Sequence, residues 1–353
     1  FLVTEPHPEI LERKKQGLPE MPVLRESDAA YYLREEAGGM ILGIYEKGAP
    51  VCYVDGPKDD CQYELFNGEL DRIMPHIDRC INRVPAFGEV GIKDIYNGAI
   101  AYTPDGNPIV GPAPGLKNFW LNEGHSFGIT AAGGAGWQLA EWIVDGEPTV
   151  DMMGVDPRRF GPYATRGYLK EKNEEAYANV FTTHYPDEER SAARPLKTAP
   201  CYDRMKALGA VFGTVYGWER PNWFMPSADY SLSAEELNQE DPTKVLMNKN
   251  HATALEDGRI VEKNSFRRSN YFEHVGNECK HVNDKVGLLD MSAFAKCVVK
   301  GPGAEEWLEY IFANKMPKAI GRISLVHMLS LNGGVRAEFT VYKTGPQSYY
   351  LVS

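Results

Sequence analysis

Long apolar runs are missing from this 353-residue sequence: none approaches the roughly 20 residues that a membrane-spanning helix requires, so no membrane span is expected. Cysteine is sparse and scattered, at positions 52, 61, 80, 201, 279 and 297. No C-x-x-C pair or nearby histidine gives zinc-finger spacing, which argues against structural zinc or a disulfide framework and for free thiols in a reducing compartment. Positive charge is in deficit, with 38 Lys and Arg against 49 Asp and Glu and a formal net charge of −11. A net acidic chain is not drawn to nucleic acid or to an anionic membrane, and neither is expected as a partner. No internal repeat is visible. The chain starts Phe1-Leu2-Val3-Thr4 without an initiating Met, charged leader or cleavage site, and stops at Tyr349-Tyr350-Leu351-Val352-Ser353 in what reads as the middle of a strand. A piece of a longer polypeptide is therefore expected. Hydrophobic residues at 43% and charged residues at 25% exclude disorder and collagen-like repeats, and the length suggests two to three domains.

What is there begins with a mixed α/β stretch over residues 1–150. Strand-like runs at 30–35 and 40–45 flank Gly38-Gly39, a hairpin signal. Between 67 and 84, Leu70, Ile73, Met74, Ile77 and Ile81 recur every three or four residues and predict an amphipathic helix that Pro75 bends or opens. Strands are expected near 95–102 and 119–121, separated by the turn-rich Thr103-Pro104-Asp105-Gly106-Asn107-Pro108. Residues 124–146 read as a glycine-rich loop entering a helix, with Trp137, Ala140, Ile143 and Val144 as its buried face and Gly146 at its end. The stretch 149–205 is polar, with a helix near 169–180 and proline-marked joints, and reads as a connecting module. Residues 226–264, rich in Glu, Asp, Asn and Lys, read as an exposed insertion. Beyond 265, a helix is expected at 305–312 and strands at 295–299, 324–331 and 336–342.

The loop Gly124-His125-Ser126-Phe127-Gly128-Ile129-Thr130-Ala131 allows close approach to its backbone, and a helix starting there presents unpaired N–H groups and a positive dipole end. That suits an anion or the pyrimidine edge of a flavin, which becomes electron-rich on reduction. A close helix–sheet contact with no ligand accounts equally for the small residues.

Several further stretches occur in a fixed order: Met21-Pro22-Val23-Leu24-Arg25 with Tyr31-Tyr32-Leu33-Arg34, Glu69 to Ile77, Tyr102-Thr103-Pro104-Asp105, Val110-Gly111-Pro112, Asp156-Pro157-Arg158-Arg159-Phe160-Gly161, Gly217 to Phe224, Ser265 to Asn270, and Gly333 to Tyr342. With them, nearly end to end, the sequence resembles the dimethylglycine dehydrogenase family of flavin enzymes, relatives of sarcosine dehydrogenase. The resemblance implies a multidomain α/β and α+β protein. Residues 1–148 would be the C-terminal part of an FAD-dependent amine oxidoreductase domain, 149–206 a short middle module, and 207–353 the start of an aminomethyltransferase-like folate-binding domain carrying the insertion at 226–264. The family's dinucleotide fingerprint and the histidine that can bear covalent FAD would lie upstream of Phe1, and the rest of the folate domain beyond Ser353.

Carried over by position, Gly124, Ser126, Phe127, Gly128, Ile129, Thr130 and Ala131 match the flavin-contacting loop, with Gly128 expected where the backbone meets the ring. His125 adjoins it, either as a partner of flavin or substrate or simply packed against the loop. Tyr32 and Arg34 share one face of a strand and offer donors to a substrate carboxylate, with Tyr31 on the other face. Packing of aromatics on a sheet is the alternative. Glu338 occupies the folate-site position, where a carboxylate pairs with pterin N–H donors, and Phe339, Thr340 and Tyr342 are expected in the same pocket. Gly217–Phe224 reads as a docking core rather than a folate wall, and Arg267-Arg268 as a solvated pair rather than a polyglutamate site.

The implied cofactors are FAD and tetrahydrofolate, the substrate a small N-methylated amino acid, the electron acceptor an electron-transfer flavoprotein or oxygen. The location is the mitochondrial matrix in a eukaryote or the cytoplasm in a bacterium. The expected activity is demethylation of dimethylglycine to sarcosine with capture of the one-carbon unit. Sarcosine or another N-methylamine as substrate, a folate-dependent aminomethyltransferase-like enzyme, and a non-catalytic folate-binding protein are its rivals.

Overall fold

The computed structural model describes residues 1–238 and 252–353, which form two compact units. In chain order, the elements up to residue 179 are β1 (Leu2–Thr4), α1 (Pro8–Lys15), β2 (Leu24–Glu26), β3 (Tyr31–Glu36), β4 (Gly39–Ile44), β5 (Leu65–Phe66), α2 (Leu70–Arg83), β6 (Ile92–Ile95), β7 (Asn97–Gly98), β8 (Ile109–Pro112), β9 (Trp120–Glu123), α3 (Gly128–Asp145) and α4 (Arg166–Asn179). There follow α5 (Tyr202–Ala207), β10 (Ala210–Val215), β11 (Trp218–Phe224), α6 (Ala234–Asn238), β12 (Ala252–Ala254), β13 (Ile260–Lys263), α7 (Phe272–Asp284), β14 (Lys296–Lys300), α8 (Ala304–Ile311), β15 (Ile323–Leu329), β16 (Val335–Gly345) and β17 (Ser348–Val352).

The first unit, residues 1–194 with 230–272, is built on an antiparallel five-stranded sheet ordered β2-β3-β4-β1-β6. The β3–β4 hairpin turns one residue earlier than expected, on Ala37 and Gly38, both at positive φ (49° and 86°). Two left-handed residues match the right-handed twist of the strands. Strand alternation sends Tyr31, Leu33 and Leu42 to one face, where α2 covers them with Ile73, Ile77 and Cys80. Pro75 lies inside α2, which keeps its packed face through it.

The second unit, residues 195–229 with 273–353, contains the β10–β11 hairpin and an antiparallel sheet ordered β14-β17-β16-β15. Its core places Leu308 of α8 against Val326, Val341, Tyr349 and Leu351. Trp223 of β11 is fully buried and stacks on His274 with centroids 5.6 Å apart, as a packing role requires.

The described flanks of 226–264 are mostly exposed over 226–237 and hold α6 and the β12–β13 hairpin, with Leu232 and Val261 buried, while 239–251 lie outside the described residues. One expectation is corrected. The buried face of α3 is the opposite one. Trp137, Ile143 and Val144 are 66%, 49% and 79% exposed and Ala140 is exposed as well, whereas Gln138 and Trp142 are buried. Tight approach, not apolarity, selects the packed face. Trp142 fills the space beside Gly111, where a Cβ would sit 2.9 Å from the indole, and Gln138 bonds the backbone N–H of Thr149 and Val150.

Among the described residues no helix is long and apolar enough to cross a membrane, and no group of His, Cys, Asp and Glu is placed to hold a metal ion. All six cysteines are free, and burial pushes the Cys80 thiol up to about 12.

Candidate functional site

Strand alternation puts Tyr32 on the sheet face away from α2. There it pairs across the ladder with Gly43, and its ring lies over that glycine: a Cβ at Gly43 would come within 2.0 Å of the ring carbons. Only glycine permits this placement. Tyr32 opens onto a cleft of about 300 Å³ whose other lining includes Tyr45, Glu46, Arg72, Tyr96 and Tyr177. Arg34 does not join it. Its guanidinium donates to the Glu35 carbonyl at 2.8 Å and pairs with Glu36, so a shared strand face has not become a shared site. The guanidinium at the cleft belongs to Arg72 of α2, which pairs with Glu46 and, at 3.2 Å, with Glu69. Arg72 lies inside the Glu69–Ile77 stretch, but nothing local in that stretch separates a cleft residue from a solvated one.

The cleft continues into a set of aromatic rings that only the tertiary structure assembles. Tyr45 meets Tyr177 of α4 at 5.4 Å and Phe181 at 4.4 Å, Tyr177 meets Tyr102 at 5.7 Å, and Phe181 meets Phe127 of the glycine loop at 5.7 Å. Burial raises the phenols of Tyr45 and Tyr177 above the ordinary range and pushes Tyr102 up to about 12. They are neutral donors near neutral pH, and Tyr177 donates to the Ile44 carbonyl at 3.3 Å.

The glycine loop is constrained at Gly124, not at Gly128. Gly124 has φ +71° and a Cβ there would lie 2.7 Å from Thr103 Cγ2, while a Cβ at Gly128 meets nothing nearer than His125 Cβ at 3.8 Å. Phe127 occupies the N-cap of α3 without a side-chain cap, so the first amides at Gly128, Ile129 and Thr130 lack a capping acceptor. The Ile129 side chain is fully exposed. His125 Nε2 is 2.7 Å from Asn122 Oδ1, whereas His125 Nδ1 and Ser126 Oγ are buried without a partner. The uncapped amides, the Ser126 hydroxyl and the positive end of an 18-residue helix form a donor set that fits the electron-rich edge of a flavin, while His125, donating from Nε2 to Asn122 Oδ1, offers Nδ1 as an acceptor.

In the second unit, Glu338 faces His327 across the β15–β16 ladder, 3.0 Å from its Nε2, with the carboxylate more than half exposed. Thr340 and Tyr342 follow on the same face, and Tyr342 lies 6.1 Å from Tyr350. Phe339 points the other way and packs on Phe312 at 5.3 Å, against the core. It does not line a pocket with Glu338, because neighbouring strand residues alternate faces. His327 is the residue that sequence reading passed over, since its pairing with Glu338 depends on strand register. Arg268 stacks over Phe272 at 4.4 Å.

Comparisons with known proteins match the chain in three consecutive segments. Residues 1–142 match the FAD dependent oxidoreductase family, 145–199 the FAD dependent oxidoreductase central domain, and 201–353 the GCVT N-terminal domain. The mitochondrial dimethylglycine dehydrogenase of Mus musculus is 35% identical over 360 residues, covering all of this chain and 37% of the relative. The mitochondrial sarcosine dehydrogenase of Homo sapiens is 29% identical over 348 residues, 98% of this chain and 37% of the relative. The 4-methylaminobutanoate oxidase (formaldehyde-forming) of Paenarthrobacter nicotinovorans is 29% identical over 345 residues, 96% and 38%. The chain thus spans little more than a third of the length of these relatives.

Proposed function

Because this chain belongs to the family of FAD-dependent dimethylglycine and sarcosine dehydrogenases, we propose that it serves the oxidative demethylation of dimethylglycine to sarcosine, with the one-carbon unit passing to tetrahydrofolate. The observation that carries this reading is the series of ring contacts, Tyr45 to Phe181 to Phe127, that joins the wall of the Tyr32 cleft to the glycine loop. The cleft wall is thereby tied to the N-cap of α3.

FAD, when bound, supplies the hydride acceptor. This chain's own contribution is placement. The Tyr32 phenol donates to the substrate carboxylate, and Tyr45 and Tyr177 wall the N-methyl groups with apolar ring faces that exclude water. Arg72 is engaged by Glu46 and Glu69, so it braces the cleft rather than holding the substrate. In the second unit, Glu338, Thr340 and Tyr342 form the face that receives folate. Reoxidation falls to an electron-transfer flavoprotein. The location is the mitochondrial matrix for a eukaryotic source, in line with the mammalian relatives being mitochondrial enzymes, or the cytoplasm for a bacterial one.

Anaerobic mixing of the full-length flavin-loaded protein with dimethylglycine, sarcosine and betaine tests the reading. Dimethylglycine should bleach the flavin fastest and betaine not at all. Faster bleaching by sarcosine would transfer the assignment to sarcosine, and no bleaching by either amine would remove it.

A further inference from the structure

The stretch Asp156-Pro157-Arg158-Arg159 touches neither the cleft nor the glycine loop directly, yet it holds the turn on which that loop rests. Arg159 is nearly buried, with its side chain 12% exposed, and its guanidinium makes a two-pronged contact with Asp105, Nε to Oδ2 at 2.7 Å and Nη2 to Oδ1 at 3.0 Å. The same Nη2 donates to the carbonyls of Asn107 and Pro108 at 3.0 and 3.1 Å, and Nη1 donates to the Asp156 carbonyl at 3.2 Å. Asp105 in turn accepts from Thr103 Oγ1 and from the Asn107 N–H, both at 3.1 Å, and Thr103 Oγ1 also reaches the Asn107 carbonyl at 2.6 Å. Thr103 is buried, and its methyl group occupies the space where a side chain at Gly124 would begin. The 155–157 segment is itself fixed to β8, with the Val110 N–H donating to the Val155 carbonyl at 2.8 Å and Pro157 filling the space beside Gly111. One guanidinium thus ties together three residues of the 103–108 turn, and that turn sets where Gly124 begins the loop.

We propose that Arg159 is a positioning residue for the flavin loop, acting through Asp105 and Thr103 on Gly124. It rests on the reading of Gly124–Ala131 as that loop. A lysine at 159 would keep the charge but not the fork, so it would hold Asp105 or the two carbonyls and not both. Its neighbour Arg158 is the natural control, because it carries the same charge, is 61% exposed, and bonds Asp156 and lies over the Trp142 ring at 5.7 Å rather than bonding Asp105, Asn107 or Pro108.

The test uses the full-length protein loaded with FAD, comparing Arg159→Ala, Arg159→Lys, Arg158→Ala, Asp105→Asn and Gly124→Val. The readouts are flavin retained at limiting FAD, the position of its visible absorption bands, and folate affinity. Loss of a charge-assisted contact predicts roughly tenfold weaker retention in Arg159→Ala, with shifted bands and unchanged folate affinity. Arg159→Lys and Asp105→Asn should fall between this and the parent, and Arg158→Ala should match the parent. If Arg159→Ala does not fold, the lysine and asparagine variants decide by the same readouts. Wild-type bands and retention in the Arg159 and Asp105 variants, with Gly124→Val impaired, would overturn the clamp. Equal loss in Arg158→Ala, or a parallel loss of folate affinity, would do the same by showing a general weakening of the fold. Should Gly124→Val itself leave the flavin untouched, the loop reading fails first and the clamp falls with it.

Discussion

Tyr32 is held by what it lacks opposite. With Gly43 beneath it, the ring and hydroxyl lie over bare backbone at the lining of the cleft. Replacing Tyr32 with Phe keeps the ring's placement and removes only the donor. One hydrogen bond to a charged group is worth about 1.5–3 kcal/mol, so Tyr32→Phe should raise the substrate dissociation constant or slow flavin reduction by about tenfold or more. Rapid-mixing measurement of the reductive half-reaction checks this, and parent-like kinetics would return Tyr32 to a packing role. Arg34 offers the opposite lesson. Its side of the strand was legible from alternation, but its capture by Glu35 and Glu36 depends on local rotamers that no spacing rule encodes. The guanidinium that does reach the cleft comes from α2, some forty residues away in sequence.

At the scale of elements, periodicity served well where one partner covers one face. The β3–β4 hairpin, though it turns one residue early, and α2 form where the pattern indicates, because Tyr31, Leu33 and Leu42 meet Ile73, Ile77 and Cys80 across one shared core. It failed on α3, whose packed residues Gln138 and Trp142 are outnumbered by apolar ones on the exposed side. The two faces make separate predictions. Trp142→Ala should cost about 3–5 kcal/mol of unfolding free energy by emptying the space beside Gly111 and Pro157. Trp137→Ala, on the exposed face, should stay within about 0.5 kcal/mol in denaturant titration of this chain. In the second unit α8 carries a charge cluster. Glu305 accepts from Lys318 at 2.8 Å, from the buried Lys343 at 2.7 Å and from the Tyr349 hydroxyl, and these bonds, that from Lys318 foremost, lower its carboxyl to about 2. A depressed carboxyl contributes stability that is fully present above its unfolded value of 4.5 and is lost as pH falls towards about 2. The melting temperature should therefore drop across that window, and Glu305→Gln should flatten the acid limb while lowering stability at neutral pH. An unchanged acid limb would remove Glu305 from the account.

For the whole molecule, the two units imply two separable losses. Glu338 stands on the sheet of the second unit, while the Tyr32 cleft and the glycine loop belong to the first. Glu338→Ala should weaken folate binding about tenfold to a hundredfold, as expected for a charged hydrogen bond, leave flavin reduction by the amine unchanged, and release more free formaldehyde. Folate titration and stopped-flow reduction on one preparation check both halves. Loss of amine oxidation with folate binding intact would place the carboxylate in the wrong site. The order of the segments was legible in the sequence because motifs are local. The assembly of Phe127, Phe181, Tyr45 and Tyr177 was not, since it joins three separate stretches of the first unit through contacts no single stretch contains.

The buried phenols bear on how the reaction would respond to alkali. Tyr45, Tyr102 and Tyr177 all ionise only well above neutrality, so none of them can accept a proton from the substrate in the working range. An amine gives up hydride from its N-methyl carbon only after its nitrogen has shed its own proton and freed a lone pair. A reduction rate that climbs with pH would then be a titration curve of the bound substrate, written by the small molecule rather than by the walls around it, and it should survive unchanged in shape when Tyr32 becomes phenylalanine.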